Sequence, residues 1–312
     1  MYITRRIILN MEIQVFKCGG KFFVSNIIQS FFNELKDKIE SHRTVFVISA
    51  MAGITRLLRL IFIIKTEVKI DEELKTLMIS LCMNEFKRYH TEFIFKLFSE
   101  TDRGAVIDNF ELLFSKLEGT INLYKSEDRK DLFYASVLQY GEIASSEILS
   151  KYINTLGIKN KWFDAREYVV TDSNYREAEI LNIKNDFKEF FKEGDILITQ
   201  GFIGRDEKGE NTVVGFDGSD YSAAEFANSL SESGGEVSLT YWKDVDGVYE
   251  ENPVKNPEAK LIDQMTRKEY IQNTVKNNSF VVRPDSISSL NENIEVTIRS
   301  FMNFENQGTK IK

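Results

Sequence analysis

Two glycine-flanked turns in this chain carry residue types able to hold an anion. One is Gly215-Phe216-Asp217-Gly218-Ser219-Asp220, which follows Val213-Val214 and runs straight into a helical spacing of Ser222, Ala223, Ala224, Phe226 and Leu230. Ser219 or Asp220 suits the N-cap of that helix. Free backbone N–H groups would then point out of the loop, where they and the helix dipole favour negative charge. The other is Gly19-Gly20, which ends an alternating, strand-like run over residues 12–18 and leads into an amphipathic segment over 22–39. A glycine turn before a capped helix is ordinary in any α/β protein, but two that face one ligand would make a phosphate site. At a third junction the β-branched run 44–48 passes through Ser49-Ala50-Met51-Ala52-Gly53 into a helix. There the Ser49 and Thr55 hydroxyls either reach a ligand or serve only as a cap and as room for close helix–sheet packing.

Carboxylates stand at two further places. A strand-like run over 236–242 ends in Lys243-Asp244-Val245-Asp246-Gly247-Val248-Tyr249. Its two aspartates could hold Mg²⁺ or a ribose, or form a plain Asp-Gly turn with solvated side chains. Gly141-Glu142 falls within a helical pattern over 132–156. Glycine costs about 1 kcal/mol in a helix interior, so it marks close backbone approach; Glu142 is then either a ligand group or a solvated helix carboxylate. With only 2 histidines, His42 and His90, a histidine metal site or a histidine-based triad is not expected. Gly19-Gly20-Lys21 lacks the earlier glycine and the following Ser/Thr of a Walker loop.

The elements that must position these groups read as an open α/β sheet. Residues 194–230 contain a buried strand, Ile196-Leu197-Ile198-Thr199, broken at Gly201 and Gly204, and ligands in such sheets gather at the carboxyl ends of strands. After it comes a hairpin-like excursion with a charged tip over 205–210. Helical periodicity over about 71–127 (Leu74, Leu77, Met78 and Leu81, then Phe93, Phe95 and Leu97, then Leu112, Leu113, Leu117 and Ile121) predicts a helical insertion. Residues 161–165 read as a strand and 169–172 as a second short strand or a loop. The chain then closes with a helix near 266–275, a strand at 280–282, a helix from Pro284 and a last strand at 295–299. A chain of 312 residues with 42% hydrophobic and 12% aromatic content buries a large core. The net charge of -8, without a Lys/Arg block, excludes a nucleic-acid surface. Two cysteines are too few for a disulfide framework, and no run approaches the roughly 20 apolar residues of a membrane span, so a cytoplasmic setting is expected. Residues 1–10 read as an extension ahead of Met11, and 11–312 as one domain.

The ordered motifs resemble the catalytic domain of the aspartokinases, within the amino acid kinase superfamily. Lys17-Cys18-Gly19-Gly20 resembles the family's opening K-F-G-G, VISAMAGIT (47–55) its second block, and Gly141-Glu142 with Ser145 its G-E-x-x-S helix. WFDAREYVVTD (162–172) is similar to its W-L-D-A-R-x-x-I-x-T-D block, and TQGFIG, GSDYSA and DVDGVY follow in the family's order. The resemblance implies a three-layer αβα sandwich that uses ATP with Mg²⁺ to phosphorylate the side-chain carboxylate of aspartate or an aspartate-like amino acid, and a homodimer. Lys17 would neutralise charge on the moving phosphoryl group, with Asp220 holding it in place. Gly19, Gly20, Gly218 and Ser219 would meet phosphate, while Ser49, Thr55, Glu142, Phe202 and Phe216 match positions around the amino acid, with Glu142 suited to its ammonium group. Asp244 and Tyr249 match nucleotide-site positions, and Lys243 and Lys255 are additional cations there.

Departures from the family's pattern are equally specific. Phe216 replaces the arginine of G-R-G-G-S-D that would clasp the substrate α-carboxylate, and Asp217 replaces a glycine beside phosphate. Lys21 stands for a Ser/Thr, Phe280 for the lysine and Arg283 for the histidine of F-G-A-K-V-L-H-P, and Val254 for the arginine after D-P. Residues 303–312 resemble the segment that precedes the paired ACT modules of aspartokinases; no ACT domain, and no allosteric inhibition by lysine or threonine through one, is expected on this chain. Two functions remain open: a kinase acting on a carboxylate whose α-carboxyl is masked, or a catalytically silent paralog that binds nucleotide or amino acid as a regulatory or partner subunit.

Overall fold

Two six-residue strands near the start of the chain bury every side chain, so both of their faces are covered. The computed structural model describes residues 12–125, 129–192, 196–215 and 217–312. The first half contains β1 (Ile13–Cys18), α1 (Ser25–Ser41), β2 (Arg43–Ile48), α2 (Ile54–Thr66), α3 (Glu72–Leu97), α4 (Glu100–Leu123) and α5 (Lys130–Thr155). After β3 (Asn160–Trp162), β4 (Val169–Thr171) and β5 (Ile180–Ile183) come β6 (Ile196–Gln200), β7 (Ile203–Asp206), β8 (Asn211–Val213) and α6 (Gly218–Ser231). The last part holds β9 (Val237–Lys243), β10 (Gln264–Met265), α7 (Arg267–Asn277), α8 (Pro284–Ser288), β11 (Glu295–Ser300) and β12 (Thr309–Ile311).

Eight strands form the main sheet in the order β10-β12-β11-β9-β1-β2-β6-β3, parallel except where β12 runs against β11. The period-two alternation of strand side chains divides its two faces. Phe16 and Phe46, partners in the β1–β2 register, meet edge to face at 5.4 Å. On the same side Phe31 of α1 packs against Trp242 at 4.9 Å, and Phe32 of α1 lies 6.3 Å from Tyr152 of α5. Lys17 points the other way. Its register partner Tyr241 donates to the Asp220 carbonyl at 3.2 Å, so α6 covers that face. The result is the three-layer α/β sandwich that the motif order implies.

Side chains of the 162–172 block hold the sheet edge rather than a ligand. Gln200 at the end of β6 donates to Ser146 Oγ (2.8 Å) and accepts from the Ala165 amide (2.8 Å), while Trp162 donates to the same Ser146 oxygen at 2.9 Å. Arg166 is clamped by Asp164 and donates to Gln139 at 2.7 Å. Beyond the block lies a second sheet, β5-β4-β7-β8, of which the sequence pattern shows the β7–β8 hairpin and, as a short strand or a loop, β4. Strand β5 escapes notice because Leu181 and Asn182 are exposed between buried Ile180 and Ile183, so no alternation develops.

Helices α3 and α4 occupy the expected insertion; the 126–127 end of that expectation lies outside the described residues, as do residues 1–11 and Gly194. Asp71 caps α3, accepting from the Leu74 amide at 2.8 Å, and Ser99 caps α4. His90 sits inside the pair, its Nδ1 2.8 Å from the Phe86 carbonyl and its ring 5.1 Å from Phe110, and burial pushes its pKa down to about 4. It is a neutral packing group. Of the expected apolar spacing, Phe93, Leu97, Leu113, Leu117 and Ile121 are buried, joined by Met83, Phe86 and Phe110, whereas Leu74, Leu77, Leu81, Phe95 and Leu112 are exposed.

Three expectations need correction, two near the carboxyl end and one in the middle of the chain. Residues 280–282 form no strand: both backbone groups of Val282 are taken by the Tyr270 hydroxyl, which donates to its carbonyl at 2.5 Å and accepts from its amide at 2.9 Å. Strand β11 is not the last, because β12 pairs with it and with β10. The strand expected over 161–165 stops at Trp162, where Asp164 turns the chain into a 3-10 turn by accepting from the Arg166 amide at 3.0 Å.

Two of the helix glycines, Gly141 and Gly104, are set apart by what surrounds them. A Cβ at Gly141 would lie 2.9 Å from the Ala50 Cβ and 3.2 Å from Ile54, so α5 and α2 touch there; at Gly104 of α4 nothing lies within 4 Å. Gly141→Ala is expected to destabilise the fold by about 1–3 kcal/mol through overpacking, and Gly104→Ala to stabilise it by about 0.5–1 kcal/mol. Urea unfolding of the two variants measures both signs.

Candidate active site

One buried carboxylate carries two ammonium groups at the carboxyl end of the central strands. Lys17 leaves β1 and meets Asp220 Oδ1 at 2.6 Å, while Lys243 at the end of β9 meets Asp220 Oδ2 at 2.8 Å. Asp220 is 3% exposed. Burial works to raise its carboxyl, but the Lys17 and Lys243 charges overcome that and hold it at about 2. Burial and the Lys17 charge in turn lower the Lys243 pKa against the attraction of Asp220. The cluster carries one more positive than negative charge, and an anion placed beside it is stabilised in a site from which water is largely removed.

Asp220 is consumed by these ion pairs, and this decides how α6 begins. Neither Ser219 nor Asp220 is the N-cap: Asp217 is, in left-handed geometry at φ 56, without a side-chain cap bond. The amides of Gly218 and Asp220 close turns onto the Gly215 and Asp217 carbonyls at 2.9 and 3.0 Å. What α6 offers a ligand is therefore its dipole and Ser219 rather than the open row of N–H groups that the sequence suggests. Burial, followed by the nearby Asp220 charge, raises the Asp217 pKa. Phe216 lies outside the described residues.

The glycines answer to packing. A Cβ at Gly20 would come 2.5 Å from the Ala50 carbonyl and 2.8 Å from the Ala52 amide, and at Gly218 it would come 2.9 Å from Val214 Cβ. At Gly19 it would lie 3.6 Å from Lys17 Nζ, in ordinary contact with the ammonium group. Gly20 thus lets the loop after β1 lie against the loop after β2, which brings Lys17 beside Ser49 and Thr55.

These groups open on a cavity of about 990 Å³ lined by Lys17, Gly20, Ser49, Thr55, Glu142, Phe202, Asp217, Gly218 and Ser219. Phe202 is held at a φ of 70, in the left-handed region costly for a non-glycine residue, its amide donating to Ser222 Oγ at 2.9 Å. Glu142 is buried, 3% exposed: Oε1 accepts from the Ala50 amide at 3.3 Å and Oε2 has no partner. Burial pushes its pKa up to about 8. A buried carboxylate with an orphaned oxygen facing a cavity fits an incoming ammonium group, which would supply both the missing bond and the missing charge.

The nucleotide-type positions separate. Asp244 is paired with Lys21 at 2.5 Å near the surface; Tyr249 is bridged to Leu261, and Lys255 is exposed. None of these three lines the main cavity. A second cavity of about 840 Å³, with Tyr221, Phe280, Arg283 and Pro284 in its wall, shares Gly215 and Glu177 with the first. Arg283 pairs with Asp285 at 2.8 Å. Among the described residues no cluster of three His, Cys, Asp or Glu side chains forms a metal cage, and no helix is long and apolar enough to cross a membrane. Mg²⁺ commonly takes one or two carboxylates plus phosphate oxygens, and Asp217 is a cavity carboxylate near Lys17 and Lys243 that fits such a role. Sequence reasoning passed over Arg56, Arg59, Tyr134, Asn174 and Arg176, which also line the large cavity. The spacing of Arg56 and Arg59 just after Thr55, on a helix beginning at the site, was the available signal.

The family model for the amino acid kinase family matches residues 12–300, and the chain belongs to that family. It is 25% identical over 299 residues to the chloroplastic bifunctional aspartokinase/homoserine dehydrogenase 2 of Arabidopsis thaliana, covering 94% of this chain and 31% of that protein. With lysine-sensitive aspartokinase 3 of Escherichia coli it shares 32% identity over 135 residues, 41% of this chain and 29% of the relative. Escherichia coli aspartokinase III, solved in complex with aspartate and ADP, has the same fold at a TM-score of 0.76 and 22% identity, the match covering 96% of this chain and 64% of that one. The chain thus spans about a third or less of the curated relatives described.

The Glu142 environment sets a pH response. An acid whose pKa rises from 4.5 to about 8 on folding binds its proton more tightly in the native state, so its contribution to stability is full below the unfolded pKa and declines as pH climbs towards 8. The wild type is expected to lose denaturant stability between pH 5 and 8, and Glu142→Gln to flatten that fall by about 1 kcal/mol or more. Unchanged curves would remove the buried, protonated Glu142 from the site.

Proposed function

Taking membership in the amino acid kinase family as the premise, we propose that the chain transfers the γ-phosphoryl group of ATP to the side-chain carboxylate of aspartate or an aspartate-like amino acid, giving an acyl phosphate and ADP. The observation that carries this reading is the Lys17–Asp220–Lys243 cluster, two cations on one buried carboxylate beside a cavity that also holds an unsatisfied Glu142. Phosphoryl transfer asks little covalent work of a protein. It needs positive charge around the moving group and an acceptor oxygen held in line with the leaving group.

The acceptor carboxylate is already ionised at neutral pH and needs no general base. One of its oxygens bonds to the γ-phosphorus as the bond to the β–γ bridging oxygen breaks, and the electron pair of that bond leaves with ADP. Lys17, oriented by Asp220, is placed to neutralise charge on the transferred oxygens, and Lys243 supplies a second cation from the same carboxylate. Glu142 holds the acceptor ammonium, with Ser49, Thr55 and Phe202 shaping the space around it. The nucleoside occupies the second cavity, which meets the first at Gly215 and Glu177. Mg²⁺, carried by the nucleotide phosphates, would supply further charge neutralisation beside Asp217. A homodimer, as implied by the resemblance, remains part of this proposal.

Phe216 bears on which acceptor is used. Loss of an arginine that pairs a carboxylate removes about 1.5–3 kcal/mol per charged hydrogen bond, so free aspartate is expected to be a poor substrate. Phe216→Arg should raise kcat/KM for free aspartate by about 10- to 10³-fold and lower it for an α-amidated analogue. A coupled assay of ADP release decides this. In the same assay Lys17→Ala is expected to lose at least about 10²-fold in turnover while remaining folded by circular dichroism. Wild-type nucleotide binding without ADP release on any acceptor would select the silent paralog.

A further inference from the structure

The large cavity extends further than one amino acid requires. Helices α2 and α5 run antiparallel along it: Gly141 abuts Ile54 at their inner ends, and Phe62 meets Tyr134 edge to face at 5.0 Å at their outer ends. Arg59 is one turn beyond Thr55 on α2, and Tyr134 lies about 12 Å before Glu142 on α5 at the helical rise. At that outer end the Arg176 guanidinium stacks on Tyr134 at 4.5 Å and lies 5.2 Å from the Phe62 ring centroid. Arg59 and Arg176 both act on the Tyr134 hydroxyl electrostatically, against Glu177 on the same wall.

The charge at this end is unbalanced. Arg56, Arg59 and Arg176 face the carboxylates Glu177 and Asp131, of which Asp131 pairs with Arg176 at 3.3 Å in an exposed contact of small energetic weight. Among the described residues no carboxylate pairs with Arg56 or Arg59. An extended chain advances roughly 3.3–3.6 Å per residue, so a molecule with its ammonium at Glu142 reaches the arginines only if it is about three residues long. Separately, Phe216 stands where relatives of the aspartokinase type place an α-carboxylate clasp, and an aspartyl unit joined through its α-carbonyl has no α-carboxylate to clasp.

We propose that Arg59 and Arg176, gathered around Tyr134, form a subsite for the distal carboxylate of an elongated acceptor, of the class of a short peptide that begins with an aspartyl residue. This rests on the kinase reading of the cavity and specifies its substrate class. The ammonium of the first residue pairs with Glu142, its side-chain carboxylate lies beside Lys17, and the C-terminal carboxylate reaches the arginines.

Isothermal titration of the full chain with the tripeptide Asp-Gly-Gly and with its C-terminal amide tests the subsite without relying on turnover. The acid is expected to bind the wild type about tenfold more tightly than the amide, the effect of one charge-assisted contact. The Arg59→Gln/Arg176→Gln double variant should lose this preference while binding the amide within about twofold of wild type, which also shows that the variant is folded. Equal binding of acid and amide to the wild type, binding of neither, survival of the preference in the double variant, or tighter binding of free aspartate than of the acid tripeptide would each overturn the proposal. ADP release is scored separately. Discrimination without turnover counts against phosphoryl transfer and supports the subsite; turnover on free aspartate without discrimination does the reverse.

Discussion

Two ammonium groups share one buried carboxylate, and most of the site follows from that constraint. Removing a charged partner from such a cluster leaves unpaired charge in a poorly solvated place, at a cost of about 3–5 kcal/mol, so Asp220 must be placed accurately for Lys17 and Lys243 to be tolerated at all. The parallel register does the placing: Lys17 on β1 lies opposite Tyr241 on β9, and Tyr241 donates to the Asp220 carbonyl, tying the first turn of α6 to the same two strands that carry the lysines. Because Asp220 is committed to the cations, it cannot cap its own helix. The start of α6 passes instead to Asp217 in a left-handed conformation.

The loops around the cluster are tightly packed. Gly20 lets the β1 and β2 loops touch, and Gly201 lies against Ser219, where an added Cβ would sit 2.8 Å from its Cα. Each contact brings a strand end closer to the cluster and displaces solvent. Low dielectric then strengthens the field that an incoming anion meets. The same exclusion of water pushes the Glu142 carboxyl up to about 8, so its negative charge is favoured only when a cation arrives. The site is thus arranged for a ligand with two ends of opposite sign.

Family membership and local departures fit one account. The 162–172 block, whose motif resembles that of the aspartokinases, builds the Gln200–Ser146–Trp162 network and the Asp164–Arg166 clamp. The departures from the family's pattern fall elsewhere, at Lys21, Phe216, Asp217, Val254, Phe280 and Arg283, while Arg59 and Arg176 place positive charge on the wall of the large cavity.

Much was legible in the chain alone. Strands β1, β2, β6 and β9 are dense β-branched and aromatic runs, the helical insertion has a clear 3.6-residue period, and Lys17, Gly20, Glu142, Ser219 and Asp220 could be named from glycine turns and motif order. Those signals are local: they depend on neighbours in sequence. What the sequence did not yield depends on neighbours in space. Strand β5 is short and lacks alternation, the 280–282 segment gives its backbone bonds to a tyrosine on another helix, and β12 is defined by its pairing with β10 and β11. That Lys243 shares Asp220 with Lys17, or that Arg59 and Arg176 meet around one tyrosine, follows from strand register and from the antiparallel packing of α2 on α5. Ion pairing and burial are set by distance and dielectric, which the order of residues leaves open until the tertiary fold closes the loops between them.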